Sequence, residues 1–213
     1  PDPVHGAIIA ELAGANAISV HLREDRRHIQ DRDIYLLKQV TTTRLNLEIA
    51  PTKDMAQIGI DVLPSMVTLV PEKRDERTTE NGLPLRETEK EIARIIESFH
   101  DHNIIVSLFI DPDTQQIKSA RRIGARYIEL NCGYYANATA SAQRDELERI
   151  RDSAFTAHRM ELHVHAGQGL NYMNIMDIAS IDYIEHCNIG HAIIARATMM
   201  GMEAAVREML SLV

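Results

Sequence analysis

The sequence predicts an α/β fold of the (βα)8 TIM-barrel class, lacking the first strand of such a barrel. Apolar segments rich in β-branched residues alternate with segments of helical period, which is typical of parallel strands joined by crossover helices. No linker rich in Gly, Ser or Pro interrupts the 213 residues, so a single domain over 1–213 is predicted. A doubly wound open sheet is disfavoured because no Gly-rich phosphate loop follows the first visible strand.

Seven segments have the length and composition of buried strands. They are 17–21, 44–48, 66–70, 104–110, 127–130, 161–165 and 185–189. Helical periodicity covers 3–13, 31–40, 53–62, 87–102, 113–123, 142–159 and 198–212. A (βα)8 barrel closes with eight strands, whereas this chain opens with a helix. We therefore expect a further strand and its loop, about 15–25 residues long, upstream of Pro1.

Charge and composition exclude several classes of function. The formal net charge of −8 disfavours a nucleic-acid partner, because nucleic-acid-binding domains carry a basic face. No apolar run approaches the length of a membrane span and no signal peptide is visible, which disfavours a membrane partner. The two cysteines, Cys132 and Cys187, form neither a disulfide framework nor a zinc-ligand pattern. The sequence therefore predicts a cytoplasmic protein with reduced thiols.

The first visible strand ends in a dense group of charged residues. The run His21-Leu-Arg-Glu-Asp-Arg-Arg-His28 directly follows the apolar segment 17–20. Guanidinium groups bind phosphate oxygens, and imidazoles transfer protons near neutral pH, so the run predicts a site for an anionic substrate. The alternative is a solvated helix start whose charges form internal ion pairs.

Carboxylates inside the later strands are the best acid/base candidates. In 44–48, alternation places Asn46 and Glu48 on one face, with Arg44 behind them, and the strand 127–130 carries Glu129. A carboxylate inside a barrel is costly unless it is paired or protonated, so an interior position favours a chemical role for Glu48 and Glu129. The alternative is that each is the structural partner of an interior cation such as Arg44.

Two glycine-containing turns follow the last two predicted strands. They are 167–169, which includes Gly169, and 190–191, which contains Gly190 and His191. In a (βα)8 barrel the phosphate site commonly lies after these strands, where backbone N–H groups and a helix start receive the anion. The two turns together predict that the ligand is a phosphorylated small molecule.

Four histidines near the predicted strand ends require that a metal site be considered. They are His163, His165, His186 and His191. A catalytic zinc site needs about three protein ligands, but the sequence contains no His-Glu-x-x-His motif and no Cys ligand spacing. Two imidazoles on one strand are also ordinary pocket residues. The sequence therefore predicts no metal.

Seven sequence blocks spread over the chain are informative together. They are Pro1-Asp-Pro-Val, Val20-His-Leu-Arg-Glu-Asp-Arg-Arg-His28, Asn46-Leu-Glu48, Val70-Pro-Glu-Lys-Arg74, Thr78-Thr-Glu, Val106-Ser-Leu-Phe-Ile-Asp111 and Asn188-Ile-Gly-His-Ala-Ile193. Through these blocks the chain resembles the pyridoxine 5′-phosphate synthase family from end to end. The resemblance implies a (βα)8 barrel that assembles into homo-octamers and uses neither a metal nor an organic cofactor. The implied reaction condenses 1-deoxy-D-xylulose 5-phosphate with 3-amino-2-oxopropyl phosphate to pyridoxine 5′-phosphate, phosphate and water.

The resemblance also implies a role for individual residues. His21 and Glu48 are implied as general acid/base groups, and Glu129 as a group that stabilises a transition state. The residues implied to hold deoxyxylulose phosphate are Arg23, His28 and Thr78. Those implied to hold the amino-oxopropyl phosphate are Gly169, Gly190 and His191.

Gln168 departs from the family pattern, which has a proton-donating His at this position. An amide cannot act as a general acid at pH 7, and loss of such a group typically lowers a rate by about 10²–10⁴-fold. One hypothesis is that His165 supplies the proton instead. The alternative is a catalytically weakened homologue that binds sugar or amino-ketone phosphates without closing the ring. Another phosphate-using barrel lyase or isomerase fits the predicted fold but leaves the 21–28 match unexplained.

Overall fold

The computed structural model describes residues 2–72 and 81–213, in which strands and helices alternate. The strands are β1 Ala17–His21, β2 Arg44–Ile49, β3 Met66–Leu69, β4 Ile105–Ile110, β5 Tyr127–Asn131, β6 His163–Gly167 and β7 Ile184–Asn188. The helices are α1 Pro3–Ala13, α2 Asp31–Val40, α3 Lys53–Val62, α4 Leu85–His100, α5 Thr114–Arg122, α6 Gly133–Asn137, α7 Ala140–Arg159, α8 Ile175–Ala179, α9 His191–Met200 and α10 Met202–Leu210.

The strands form one parallel sheet in chain order. Each strand from β1 to β7 is hydrogen-bonded to the next strand along the chain. Parallel neighbours require a crossover, and the helices between the strands provide it. A curled parallel sheet with alternating helices is the TIM-barrel arrangement, so the predicted fold class is confirmed.

The two faces of the sheet differ in polarity because side chains alternate along a strand. In β2 the buried residues Leu45, Leu47 and Ile49 face the helices, and Leu47 and Ile49 belong to the main hydrophobic core. Side chains on the opposite face include the buried polar residues Asn46, Thr68, Ser107, Glu129 and His165. The hydrophobic core therefore lies between sheet and helices, and a polar interior is left for the site.

Several predicted elements have different bounds in the structure, and two of these differences have a clear local cause. Strand β6 begins two residues later than expected, because Leu162 N–H still bonds back to the carbonyl of Ala157 and Glu161 adopts a φ of 60°. The predicted closing helix 198–212 is divided into α9 and α10 at Gly201, whose φ of 85° is left-handed. Turn geometry thus overrides the predicted strand start at Glu161 and the predicted helix at Gly201.

Strands β1 and β7 form the two ends of the sheet. Within the described residues, β1 pairs only with β2, and β7 pairs only with β6. None of the described helices is both long and apolar enough to cross a membrane.

Candidate active site

The strands bring three of the predicted catalytic residues into one region of the sheet interior. His21 is the last residue of β1 and lies opposite Glu48 in the register of β2. Strand β5 is not a neighbour of β2, yet Glu129 is near enough to Glu48 for the charge of Glu48 to raise its pKa. The two carboxylates therefore face each other across the interior of the curled sheet.

Glu48 is held by one strong hydrogen bond. The hydroxyl of Ser19 in β1 donates to Oε1 of Glu48 over 2.6 Å. Burial raises the pKa of Glu48, and the Ser19 bond acts in the opposite direction because it favours the ionised form. The pKa of Glu48 is thus set by two opposing effects, burial and the Ser19 hydrogen bond.

Glu129 retains its proton at neutral pH. Its side chain is buried, and burial together with the charge of Glu48 raises its pKa to about 8. The amide of Asn188 at the end of β7 donates to Oε2 over 2.5 Å and opposes this rise. Gly167 lies so close that a Cβ there would overlap the carboxylate. Glu129 is therefore a tightly enclosed, protonated acid at pH 7.

Neither carboxylate is a structural partner of an interior cation in the described part of the chain. Among the described residues, no cationic group contributes to the pKa of Glu48 or of Glu129, and the hydrogen bonds to them come from neutral side chains. In the described structure Arg44 therefore neutralises neither carboxylate. Burial raises the pKa of both carboxyl groups, and a carboxyl group that stays protonated near neutral pH can act as an acid.

His21 carries a partly buried imidazole that is neutral at pH 7. Burial, followed by the positive charges of His28 and Arg23, lowers its pKa to about 4, so the imidazole is neutral at pH 7. Its Nε2 atom is buried and has no hydrogen-bond partner among the described residues. The ring of His28 lies edge-on to it, with 5.8 Å between the centroids.

Arg23 is a buried cation at the same rim, only 3% exposed. Its guanidinium donates to both carboxylate oxygens of Asp25 over 3.3 Å and lies 3.5 Å from Glu72. Asp25 also accepts from Arg27, and the bonds from Arg27 and Arg23 hold its pKa well below the usual range. A buried planar cation fits the predicted role in anion binding.

The segment after Arg23 is a compact turn stabilised by its own ion pairs. Arg26 has a φ of 51° and donates to both oxygens of Asp31 over 3.0 Å. It also donates to the carbonyls of Arg23 and Glu24. The internal ion pairs foreseen for this segment are therefore present, but they shape the turn around a buried Arg23 and do not form a wholly solvated surface.

The two glycine turns lie side by side. Gly167 and Asn188 are register partners, so the turns after β6 and β7 begin next to each other. Gln168 and Gly169 have φ values of 71° and 75°, and a Cβ on Gly169 would lie 2.5 Å from the Cβ of Ala136. After β7, Gly190 is the N-cap of α9. Gly169 and Gly190 are both exposed, as a site for an anion at these turns would require.

Gln168 faces a cavity and is separate from the paired carboxylates. The cavity has a volume of about 630 Å³ and is lined in part by Asn81, Tyr134, Asn137, Glu146 and Gln168. Its polar lining is formed by amides, a phenol and one carboxylate, without a cationic side chain among the described residues. Gln168 therefore borders a polar space near the ends of β5 and β6.

The histidines of β6 do not lie at the carboxyl end of their strand. His163 begins β6 and contacts Glu185 over 2.7 Å, and His165 lies in mid-strand opposite Glu129. Burial, then the charges of His186 and His163, lowers the pKa of His165 to about 4. The expectation that these histidines lie near the rim is therefore wrong, because β6 begins at 163. The described residues contain no group of three His, Cys, Asp or Glu placed to hold a metal ion.

Comparison with known proteins gives the family of the chain. A profile described as "Pyridoxal phosphate biosynthesis protein PdxJ" matches residues 1–213. The chain belongs to this family. Pyridoxine 5′-phosphate synthase of Prochlorococcus marinus is 53% identical over 213 residues, covering 100% of this chain and 90% of the relative. The synthase of Geotalea daltonii is 52% identical over 214 residues, with coverage of 100% and 90%. The predicted family and the prediction of an enzyme are confirmed.

Solved structures support the same fold. Tryptophan synthase subunit alpha from Campylobacter jejuni has a TM-score of 0.68 at 10% identity, covering 99% of this chain and 90% of that one. Thiamine phosphate pyrophosphorylase from Pyrococcus furiosus has a TM-score of 0.67 at 18% identity, covering 98% and 88%. At these identities the likeness concerns the fold alone.

One expected site residue lies outside the residues that the structure describes, and two residues of the site were not predicted from the sequence. Thr78, expected to hold substrate, falls outside the described residues. Sequence reasoning missed Ser19 and Asn188, which bind the two carboxylates. Ser19 is two residues before His21 on the same face of β1, so strand periodicity contained a signal for it. Asn188 ends a predicted strand, but its partner Glu129 is 59 residues away in sequence and only the fold pairs them.

Proposed function

We propose that this member of the family condenses 1-deoxy-D-xylulose 5-phosphate with 3-amino-2-oxopropyl phosphate by acid/base catalysis. The products are pyridoxine 5′-phosphate, phosphate and water. The proposal is supported by relatives that carry the name pyridoxine 5′-phosphate synthase at about half identity over the full chain. It involves neither a metal nor an organic cofactor.

The observation that carries the proposal is the pair of facing carboxylates with His21 beside them. Ring formation from two carbonyl compounds requires repeated proton transfers, so it needs both acids and bases in one place. Glu129, protonated at pH 7, donates a hydrogen bond to a developing oxyanion. Glu48 and the neutral imidazole of His21 exchange protons with the substrate carbons and nitrogen during imine formation and enolisation.

Substrate binding is assigned to the residues that the family resemblance implies. Arg23 and His28, together with Thr78, hold deoxyxylulose phosphate. The backbone at Gly169 and Gly190, and the side chain of His191, hold the amino-oxopropyl phosphate. Two phosphate anchors orient the reacting carbons, and orientation removes a large part of the barrier to joining two molecules.

Gln168 takes the catalytic position of the family His in this proposal but acts only as a hydrogen-bond partner. The low pKa of His165 weighs against His165 as the replacement acid, since a neutral imidazole holds no acidic proton ready for transfer at pH 7. Glu129 is the better proton donor among the buried groups. His165→Asn is therefore expected to leave single-turnover ring closure unchanged.

Mixing the protein with both substrates, and measuring pyridoxine 5′-phosphate and released phosphate, tests the proposal. Formation of both products in equal amounts is expected. Tight binding of either substrate without product would instead support a weakened homologue, for which Gln168 is the motivating residue. Release of phosphate from one substrate alone would point to a barrel lyase or isomerase.

Three further properties belong to the same proposal. The working protein is a single (βα)8 domain in which an eighth strand lies between β7 and β1, where the described sheet is open. It assembles into a homo-octamer in the cytoplasm. Sedimentation velocity checks the assembly, and a sedimenting species of one chain only would contradict it.

A further inference from the structure

A chain of neutral hydrogen bonds leads from the interior of the sheet to Glu48. The hydroxyl of Thr68 in β3 donates to Oδ1 of Asn46 over 2.9 Å, and the Asn46 amide nitrogen donates to Oγ of Ser19 over 2.9 Å. Ser19 then donates to Oε1 of Glu48 over 2.6 Å. Thr68 is 1% exposed and Asn46 is 7% exposed, whereas Ser19 is exposed at the sheet edge.

The direction of this chain follows from the chemistry of the Asn46 amide. An amide oxygen only accepts and an amide nitrogen only donates, so the Thr68 proton must point at the oxygen. The nitrogen then faces Ser19 and uses an acceptor position of its hydroxyl. The Ser19 proton is thereby left for Glu48. Each bond fixes the orientation of the next.

If the Asn46 amide turned over, the chain would reverse. Its oxygen would then face Ser19, whose proton would go to Asn46 and no longer to Glu48. Glu48 would lose the bond that stabilises its ionised form, and a protonated Glu48 would have to donate to Ser19. The orientation of one buried amide therefore corresponds to one protonation state of Glu48.

We propose that Thr68 and Asn46 are positioning residues that keep the Ser19 proton directed at Glu48 and so keep Glu48 available as a base. This inference rests on the proposed function, because it explains how the acid/base role of Glu48 is maintained. Thr68 acts entirely through Asn46, and Ser19 is the group that contacts Glu48.

The orientation of the Asn46 amide matters because of the groups that surround Glu48. Glu129 faces it from β5, and His21 lies opposite it in β1. Strand β3 places the hydroxyl of Thr68 opposite Glu48, and that hydroxyl is used by Asn46. In the described residues the Ser19 bond is the one interaction found to lower the pKa of Glu48, against burial.

The test measures the carboxyl pKa of Glu48 directly, by NMR titration of protein labelled with carbon-13 at the glutamate side-chain carboxyl. The Glu48 signal is assigned by its absence in Glu48→Gln. Thr68→Val keeps the size and shape of the side chain but removes the donor. We expect it to raise the Glu48 pKa by about half a unit to one unit, since the Asn46 amide is no longer held and the Ser19 proton is no longer directed at Glu48. Ser19→Ala should raise it in the same direction.

Two variants serve as controls. Thr68→Ser retains a donor at the same place and should restore the pKa of the unaltered chain. Ser107→Ala removes a buried hydroxyl directly opposite Thr68 in β4, and this hydroxyl has no hydrogen-bond partner within the described residues. It should leave the Glu48 pKa unchanged. Equal pKa values in Thr68→Val and in the unaltered chain would overturn the inference, as would an equal rise in Ser107→Ala.

The rate of product formation separates this inference from the proposed function. If Glu48 is a catalytic base, the acidic limb of kcat/KM against pH in Thr68→Val should move upward by the same amount as the Glu48 pKa. A shifted pKa with an unmoved limb would uphold the positioning chain and contradict the catalytic role of Glu48. Circular dichroism of each variant confirms that the fold is retained.

Discussion

Two carboxylates enclosed in one barrel strongly influence each other's protonation. Like charges at close range in a low dielectric repel, so the pair gains by keeping a proton on one member. Glu129 keeps that proton because it is the more enclosed of the two, and Asn188 only partly offsets its burial. At the scale of single residues, the proposed function therefore depends on unequal burial of identical groups.

The raised pKa of Glu129 predicts a pH-dependent stability. Between its unfolded value near 4.5 and its folded value of about 8, the folded state binds more protons, so the free energy of unfolding falls as pH rises. Glu129→Gln removes this dependence. We expect its stability relative to the unaltered chain to improve by about 3–4 kcal/mol from pH 5 to pH 8. Urea unfolding of both proteins at pH 5 and pH 8 measures their free energies of unfolding. An equal change between the two pH values in both proteins would contradict the prediction.

Close contact between Gly167 and Glu129 predicts a coupled pair of substitutions. Gly167→Ala should lower the free energy of unfolding by about 1–3 kcal/mol, because its Cβ overlaps the carboxylate. In a Glu129→Asp background the shorter side chain makes room, so the same change should cost less. Thermal melts of the four proteins give the coupling. An additive result would show that the strain lies elsewhere.

At the scale of elements, turns decide where chemistry is placed. The turn after β1 closes through the Arg26–Asp31 pair and thereby buries Arg23 at the rim. After β6, left-handed Gln168 leads into Gly169, whose close approach to α6 excludes a side chain. Both turns begin at a strand end, so a shift of strand bounds would move site residues out of reach.

The break between α9 and α10 predicts a specific cost for one substitution. Gly201 has φ 85° and ψ 156°, a region that residues with a Cβ rarely occupy. Gly201→Ala should therefore lower the free energy of unfolding by about 1–3 kcal/mol.

Gly6→Ala is the matched control for Gly201→Ala. Gly6 is inside α1, and an added Cβ would meet Met202 Cε at an ordinary 3.7 Å. It should be neutral or stabilising by up to about 1 kcal/mol. Equal losses in chemical denaturation of both variants would contradict the strain at Gly201.

At the scale of the whole molecule, the described sheet has two free edges. Helix α9, which follows β7, has no buried residue, and Ile194, Met199 and Met200 on it are exposed. Apolar side chains beside an open sheet edge are expected where a further strand or helix would pack. The proposed eighth strand would pair with the open sheet edges and would cover these apolar side chains.

Hydrogen exchange can test the open edges. In the 213-residue chain, the outward amides of β1 and β7 should exchange faster than those of β4, which has a paired strand on each side. Mass-spectrometric exchange of peptides covering the three strands measures the difference. Equal protection of all three would mean that another part of the assembly already covers the edges.

Much of this architecture was predictable from local sequence. The strand β1 and the helices α1, α2 and α3 have the predicted bounds, because period and flanking turns agree there. The interior positions of Glu48 and Glu129 also followed from alternation. The short helices α6 and α8 were not predicted, since each has only five residues and too little periodicity to detect.

The sequence by itself determined the fold class, the family and the residue types at the strand ends, because these depend on local period and on motifs. Only the tertiary structure decided which groups meet: Ser19 with Glu48, Asn188 with Glu129, and the two carboxylates with each other. Their proton affinities depend on burial and on charges from distant parts of the chain. Curling of the sheet brings those parts together, and no short stretch of sequence encodes it.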